Sequence, residues 1–169
     1  MSTARTDPPY IADERPMLEA WLDYHRATLA MKCDGLSAEQ LRRRAVPPSP
    51  LSLLGLVRHM AEVERGWFRW MIDGEDAPLL YCSDADPHGD FDRVDDADPA
   101  EVFAAWHAEC DRARELLAAA PNLDVRAARE RGGQPISLRW IIVHVIEEYA
   151  RHNGHADFLR ERIDGVVGD

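Results

Sequence analysis

Lysine is nearly absent from this 169-residue chain: Lys32 stands alone beside 19 arginines, an imbalance that reads as the codon bias of a GC-rich genome. Positive charge is scarce overall, with 20 Lys plus Arg against 31 Asp plus Glu and a formal charge of −11 at pH 7. Such a surface repels phosphate backbones, which argues against nucleic acid as a partner. Cysteine is rare too. Cys33, Cys82 and Cys110 are an odd number with no CxxC pair, so neither a disulfide framework nor a zinc knuckle is expected. No apolar run is long enough to span a bilayer, and the opening MSTARTDPPYIADERP has no leader-like apolar stretch. A soluble cytoplasmic protein is the expectation. Alternating polar and apolar strands are also missing. What remains, 46% apolar residues in a chain of this length, suits one folded domain spanning 1–169.

Four segments repeat apolar residues at the helical period. The first covers about 14–34, with Leu18, Trp21, Leu22, His25 and Leu29 on one side and Gly35 at its end. The second covers about 52–73, opening on the N-cap Ser52 and carrying Leu53, Leu56, Val57, Met60, Val63, Trp67 and Met71. The third covers about 99–120, from Asp98 (N-cap) and Pro99, with Val102, Phe103, Trp106, Cys110, Ala113 and Leu117 inward. The fourth covers about 137–162, from Ser137. Four amphipathic helices joined by loops predict an all-α fold, a four-helix bundle.

PLSLLGLVRH (Pro50 to His59) and PISLRWIIVH (Pro135 to His144) share Pro, Ser, Leu and His at the same offsets. Each reads as a loop proline, a capping serine and a helix whose third turn presents a histidine. Two related helical hairpins would explain this, and so would the common chemistry of good helix starts.

The fourth helix contains HVIEEYARHNGH, which places His144, Glu148, His152 and His155 at spacings of four, four and three. Its apolar stripe is Leu138, Ile141, Ile142, Val145, Tyr149, Ala156 and Leu159; His152 lies within that stripe, while Glu148, His155 and His144 follow along one flank. Glu147 points away, toward solvent. On the second helix His59 sits at the stripe's edge. If the second and fourth helices are neighbours, His59 faces Glu148 and His152, and bundles build metal sites in this way. Three His/Glu donors leave one position open, the catalytic rather than the structural zinc pattern. The plainer reading is that these histidines are interfacial and that Glu148 pairs with Arg151 or Arg139.

Glu64 falls on the apolar stripe of the second helix, where a carboxylate is costly unless paired. It either orients a ligand histidine or reaches an arginine at the end of the bundle. The tryptophans 67, 70, 106 and 140 read as core or groove residues. No cysteine has a His-Asp escort that would make it a nucleophile. The acidic run from Asp84 to Asp98 lacks the order of a calcium loop and reads as solvated, a lid over the site.

SLLGLVRHMAEVERGWF and SLRWIIVHVIEEYARHNGHADFLRERIDG resemble the second and fourth helices of the DinB-like (YfiT-like) superfamily, and within it the DUF664 branch. With the order and size of the helices, the resemblance spans nearly the whole chain. It implies an up-down-down-up four-helix bundle, often dimeric, with a divalent metal, zinc or nickel, held by three side chains. The superfamily's first ligand falls on His59. Its row HxxxHxxxH-x-G-Q falls on His144, Glu148, His152, Asn153, Gly154 and His155, and the last two members of the HxxxHxxxH row, here Glu148 and His152, are ligands. Glu in the middle of the row is similar to the mycothiol-dependent maleylpyruvate isomerase branch. His155 stands where the superfamily has Gln, which makes it the rival of Glu148 as ligand or, with Glu64, a residue supporting the ligands.

Relatives of this kind transfer or isomerise with a low-molecular-weight thiol such as mycothiol. The resemblance therefore implies a metal-dependent thiol S-transferase acting on a small-molecule thiol and an electrophile. A metal whose position is open to a thiol lowers the thiol's pKa, so the protein need supply no nucleophile. Two alternatives stay open: a hydrolase in which the same ligands activate water, and a non-enzymatic, stress-associated bundle that binds a ligand or partner.

Overall fold

The computed structural model describes residues 5–168. Its helices are α1 (Glu14–Cys33), α2 (Ala38–Arg42), α3 (Leu53–Glu64), α4 (Gly89–Asp92), α5 (Pro99–Ala119) and α6 (Leu138–Asp164). From Arg65 to Ile72 the chain continues α3 as wider π-helical turns, seen where the amide of Asp73 reaches the carbonyl of Phe68 at 3.1 Å. The described residues form no strand; pairing is limited to isolated bridges such as Arg126 with Ser137.

The helix starts follow from side-chain capping. Ser52 accepts the amide of Gly55 at 3.1 Å and Ser137 that of Trp140 at 3.2 Å, while Asp98 accepts that of Ala100 at 2.9 Å ahead of Pro99. The long helices end within two residues of the expected positions. The segment expected as one helix over 52–73 is instead α3 plus the π-helical turns, a distinction that lies in backbone hydrogen bonds. The short helices α2 and α4 were not expected; α2 forms because Ser37 and Gln40 cap each other reciprocally.

Contacts along the helices fix their directions. Against α6, the α3 segment places Trp67 by Trp140 and His144, Glu64 by Tyr149, and His59 by His152, so the two run antiparallel. α1 runs parallel to α6: Arg139 pairs with Glu14, Asn153 donates to the carbonyl of His25 at 3.0 Å, and Lys32 pairs with Asp157 at 2.8 Å. α5 is antiparallel to α1, since Arg15 donates to the carbonyl of Leu117 and Arg114 reaches Asp23.

Most of the side chains buried between them are apolar. Leu22, Leu29, Leu56, Met60, Ile142 and Val145 are wholly buried, each contributing on the order of 1.5–3 kcal/mol relative to exposure. The stripe expected for α1 is shifted: Trp21 is 41% exposed, and Arg26 turns inward instead. The reason is Glu64. Fully buried on α3, it takes two hydrogen bonds of 2.7 Å from Arg26, and one of 2.8 Å from the Tyr149 hydroxyl. Tyr149 in turn accepts from the Trp106 indole at 2.8 Å, and Cys110 lies 3.7 Å from Glu64. Each long helix thus contributes to one buried polar cluster. Glu64 does reach an arginine, in the middle of the core rather than at its end, and none of these bonds is to a histidine.

Candidate metal centre

α3 and α6 cross where His59 and His152 meet, their rings 4.6 Å apart and edge to face. One turn back along α6, Glu148 joins them. His59, Glu148 and His152 each offer a ligand atom, and all three atoms lie within 4.8 Å of one another. The helical spacing of four put Glu148 and His152 on one edge, and the antiparallel partner supplied His59, as the sequence led one to expect. Glu148 pairs with neither Arg151 nor Arg139. Arg151 is held by Glu147, and Arg139 by Glu14 and Asp124.

The two oxygens of Glu148 each face an imidazole: Oε1 is 3.6 Å from Nε2 of His144, and Oε2 is 3.6 Å from Nε2 of His152. These gaps exceed a hydrogen bond. They match ligand spacing instead, because two donors about 2.1 Å from a tetrahedral ion stand roughly 3.4 Å apart. Burial, with the neighbouring His59 and His155, pushes His152 down to about 3, so at neutral pH it is uncharged and has a lone pair to offer. Two imidazoles and a carboxylate are the donor chemistry of zinc and nickel. The residues fit a divalent cation.

Around this trio the structure adds groups from two elements, α6 and α4. Nδ1 of His155 lies 3.3 Å from Nδ1 of His152, on the ring edge away from Glu148. Phe91 stacks on His59 with ring centroids 4.9 Å apart. Asp90 presents Oδ2 to Nδ1 of His59 at 2.8 Å. Asp90 corrects the reading of the acidic run: it is 4% exposed, not solvated. Burial by itself would raise its carboxyl, but hydrogen bonds from His59, the Phe91 amide and the Cys82 thiol hold it below the ordinary aspartate value. It is therefore ionised, and Nδ1 of His59 is the donor. This partner was not legible in the sequence because it lies 31 positions away, in a single helical turn too short to show a periodic signal.

His144 has a different setting from His59 despite the matching offset from its cap. Its ring stacks on Trp140 (4.9 Å) and meets the edge of Trp67 (4.6 Å). With Glu147 and Glu148 it forms a second group of suitable spacing, but Glu147 is already engaged by Arg151. A cavity of about 650 Å³ opens elsewhere, between α1 and α5, lined in part by Tyr24, Arg26, Trp106, His107, Cys110 and Arg114. Its paired arginines and acids offer no comparable set of converging donors, so chemistry rather than volume marks the α3–α6 crossing. Nucleophilic cysteine is disfavoured throughout: burial pushes Cys33 up to about 12 and raises Cys82 and Cys110 as well.

No helix among the described residues is long and apolar enough to cross a membrane. No curated protein matches the chain. The model of the Mycothiol-S-transferase family matches residues 17–165, which takes in all four long helices but for the first turn of α1, with every residue of the candidate centre. The chain belongs to the mycothiol S-transferase family.

Proposed function

We propose that this protein is a metal-dependent thiol S-transferase using mycothiol, with His59, Glu148 and His152 as the metal ligands. The observation that carries the reading is the convergence of these three donors from two helices at ligand spacing, within a chain of this family. In this proposal residues 1–169 form one domain, an up-down-down-up four-helix bundle, for which the parallel α1 and α6 and the antiparallel α3 are the support. Zinc suits the donors best, with nickel the next choice. The site acts in the cytoplasm on a small-molecule thiol and an electrophile, and association as a homodimer belongs to the same reading.

When bound, the cation supplies Lewis acidity that favours the deprotonated form of a thiol. The protein's own residues do the rest. His152, kept neutral by burial, and Glu148 hold their donors in fixed register because Tyr149, between them in sequence, is anchored on Glu64. Phe91 stacks on one face of His59 and covers that side of the ring. The chain's own thiols are held protonated, so the reacting sulfur arrives with the cosubstrate. In the overall reaction that sulfur bonds to an electrophilic carbon, the leaving group departs with the bonding electrons, and the thiol proton passes to solvent.

The test is turnover of mycothiol with a fluorogenic alkyl halide by zinc-loaded protein, by chelator-treated protein and by Glu148→Gln. Thioether formation that needs zinc, and that falls at least about 100-fold in the variant, is the expected result. Hydrolysis of an ester without added thiol, and no thioether, would put a hydrolase in its place.

A further inference from the structure

Among the described residues, His59 is the member of the trio held from outside its own helix pair as well, by Asp90 and Phe91. Two side chains of α3, Arg58 and Glu62, grip the segment that carries Asp90. Arg58 donates from Nε to the carbonyl of Asp90 at 2.9 Å and from Nη2 to that of Gly89 at 3.0 Å, with its guanidinium 3.9 Å over the Tyr81 ring. Glu62 accepts the amides of Tyr81 (2.6 Å) and Cys82 (3.1 Å) through Oε1. The loop closes on itself at Gly89, where a Cβ would run into the carbonyl oxygen of Tyr81. The segment expected to be a lid is a wall fastened to the helix.

This wall presents two side chains to His59, the carboxylate of Asp90 and the ring of Phe91. Oδ1 of Asp90 accepts the amide of Phe91 at 3.0 Å, which leaves Oδ2 for Nδ1 of His59 at 2.8 Å. A carboxylate accepts hydrogen bonds and cannot donate them, so Nδ1 carries a proton, and in the neutral ring Nε2 is the nitrogen with a lone pair to offer. The ring has little freedom to turn away, with Phe91 stacked on its face and His152 against it.

We infer that Asp90 is a positioning residue of the metal centre, fixing His59 in the Nδ1–H tautomer so that Nε2 is the nitrogen offered to the cation. The inference rests on the reading of His59 as a ligand. It makes the loop a structural part of the centre: whatever loosens the grip of Arg58 and Glu62 weakens the hold on metal as well. Asp90 itself touches neither metal nor substrate. It acts through His59, as partners of ligating histidines do, and losing such a partner typically costs about 10–100-fold in metal affinity.

The experiment uses the full chain as wild type, Asp90→Asn, Asp90→Ala and His59→Ala. Zinc affinity is read by competition with a chromophoric chelator. The tautomer of His59 is read in the metal-free protein by long-range ¹H–¹⁵N correlation, and thermal melts report whether each variant is folded. The expected result is about 10–100-fold weaker zinc binding in both Asp90 variants. Asp90→Asn, nearly the same shape, keeps a cooperative melt while His59 shifts to a mixture of tautomers. Wild-type affinity and an unchanged Nδ1–H tautomer in both variants would overturn the role of Asp90 alone. Zinc binding that His59→Ala leaves untouched, or that wild type never shows, would instead overturn the ligand assignment beneath it.

Discussion

Glu64 shows how a single side chain can carry consequences for the whole site. It is fully buried, and its charge is matched by Arg26 through two hydrogen bonds of 2.7 Å. Removing one partner strands the other charge in the core, which costs about 3–5 kcal/mol, whereas replacing both by apolar residues of similar volume is often neutral. Glu64→Ala should therefore lower stability by about that amount in urea titrations, and Arg26→Met with Glu64→Leu should recover most of it. If Glu64→Ala costs less than about 1 kcal/mol, the cluster is not holding the helices together. The sequence already marked Glu64 as a carboxylate needing a partner, because it fell on an apolar stripe. It could not name Arg26, since α1 showed an apolar period on which Trp21 looked the more natural inward residue. Asp90 was hidden for a related reason: one aspartate among several in an acidic run becomes special only when Arg58 and Glu62 fasten that segment to α3.

At the scale of elements, the local chemistry of the chain was nearly sufficient. Ser52, Asp98 and Ser137 were readable as caps and do cap. Replacing Ser137 with Ala should cost about 1 kcal/mol, seen as a lower urea midpoint with an unchanged slope. The spacing of Glu148 and His152 on one helix was also readable, because a helix fixes it. The π-helical turns from Arg65 to Ile72 were not, since side-chain periodicity does not reveal which carbonyl an amide will reach. The loop offers the sharper test. Gly89→Ala must displace the Tyr81 carbonyl, so limited proteolysis should cut within residues 74–98 faster than in wild type. The melting temperature of the helical core should move little. Equal cleavage rates would show that the wall tolerates a side chain there.

Over the whole molecule, charge sets the response to pH. The net charge of −11 leaves many carboxylates that depend on the 20 basic residues for partners. Asp23 bridges α1 to α5; burial would raise its carboxyl, but Arg114 and Arg26 hold it below the ordinary value. Its contribution to stability is complete above the unfolded-state value of about 3.9 and is lost as pH falls through the lower folded value. Melting temperature should thus drop on acidification below about pH 4, and Asp23→Asn should flatten part of that slope. An identical slope in the variant would remove Asp23 from the account. The order and number of the long helices were legible because each is amphipathic with its own cap. Which helices lie side by side was not legible in their periodicity, because only contacts such as Lys32 with Asp157 and His59 with His152 reveal it.

All of this converges on whether the α3–α6 crossing holds a metal ion. The most direct measurement is elemental analysis of the purified, untagged protein after reconstitution with zinc, beside His59→Ala and Glu148→Ala treated alike. About one equivalent of zinc is expected in the wild type and its loss in both variants, with their helical circular dichroism retained. A folded wild-type protein that takes up no zinc or nickel, or variants that bind as much as the wild type, would contradict it.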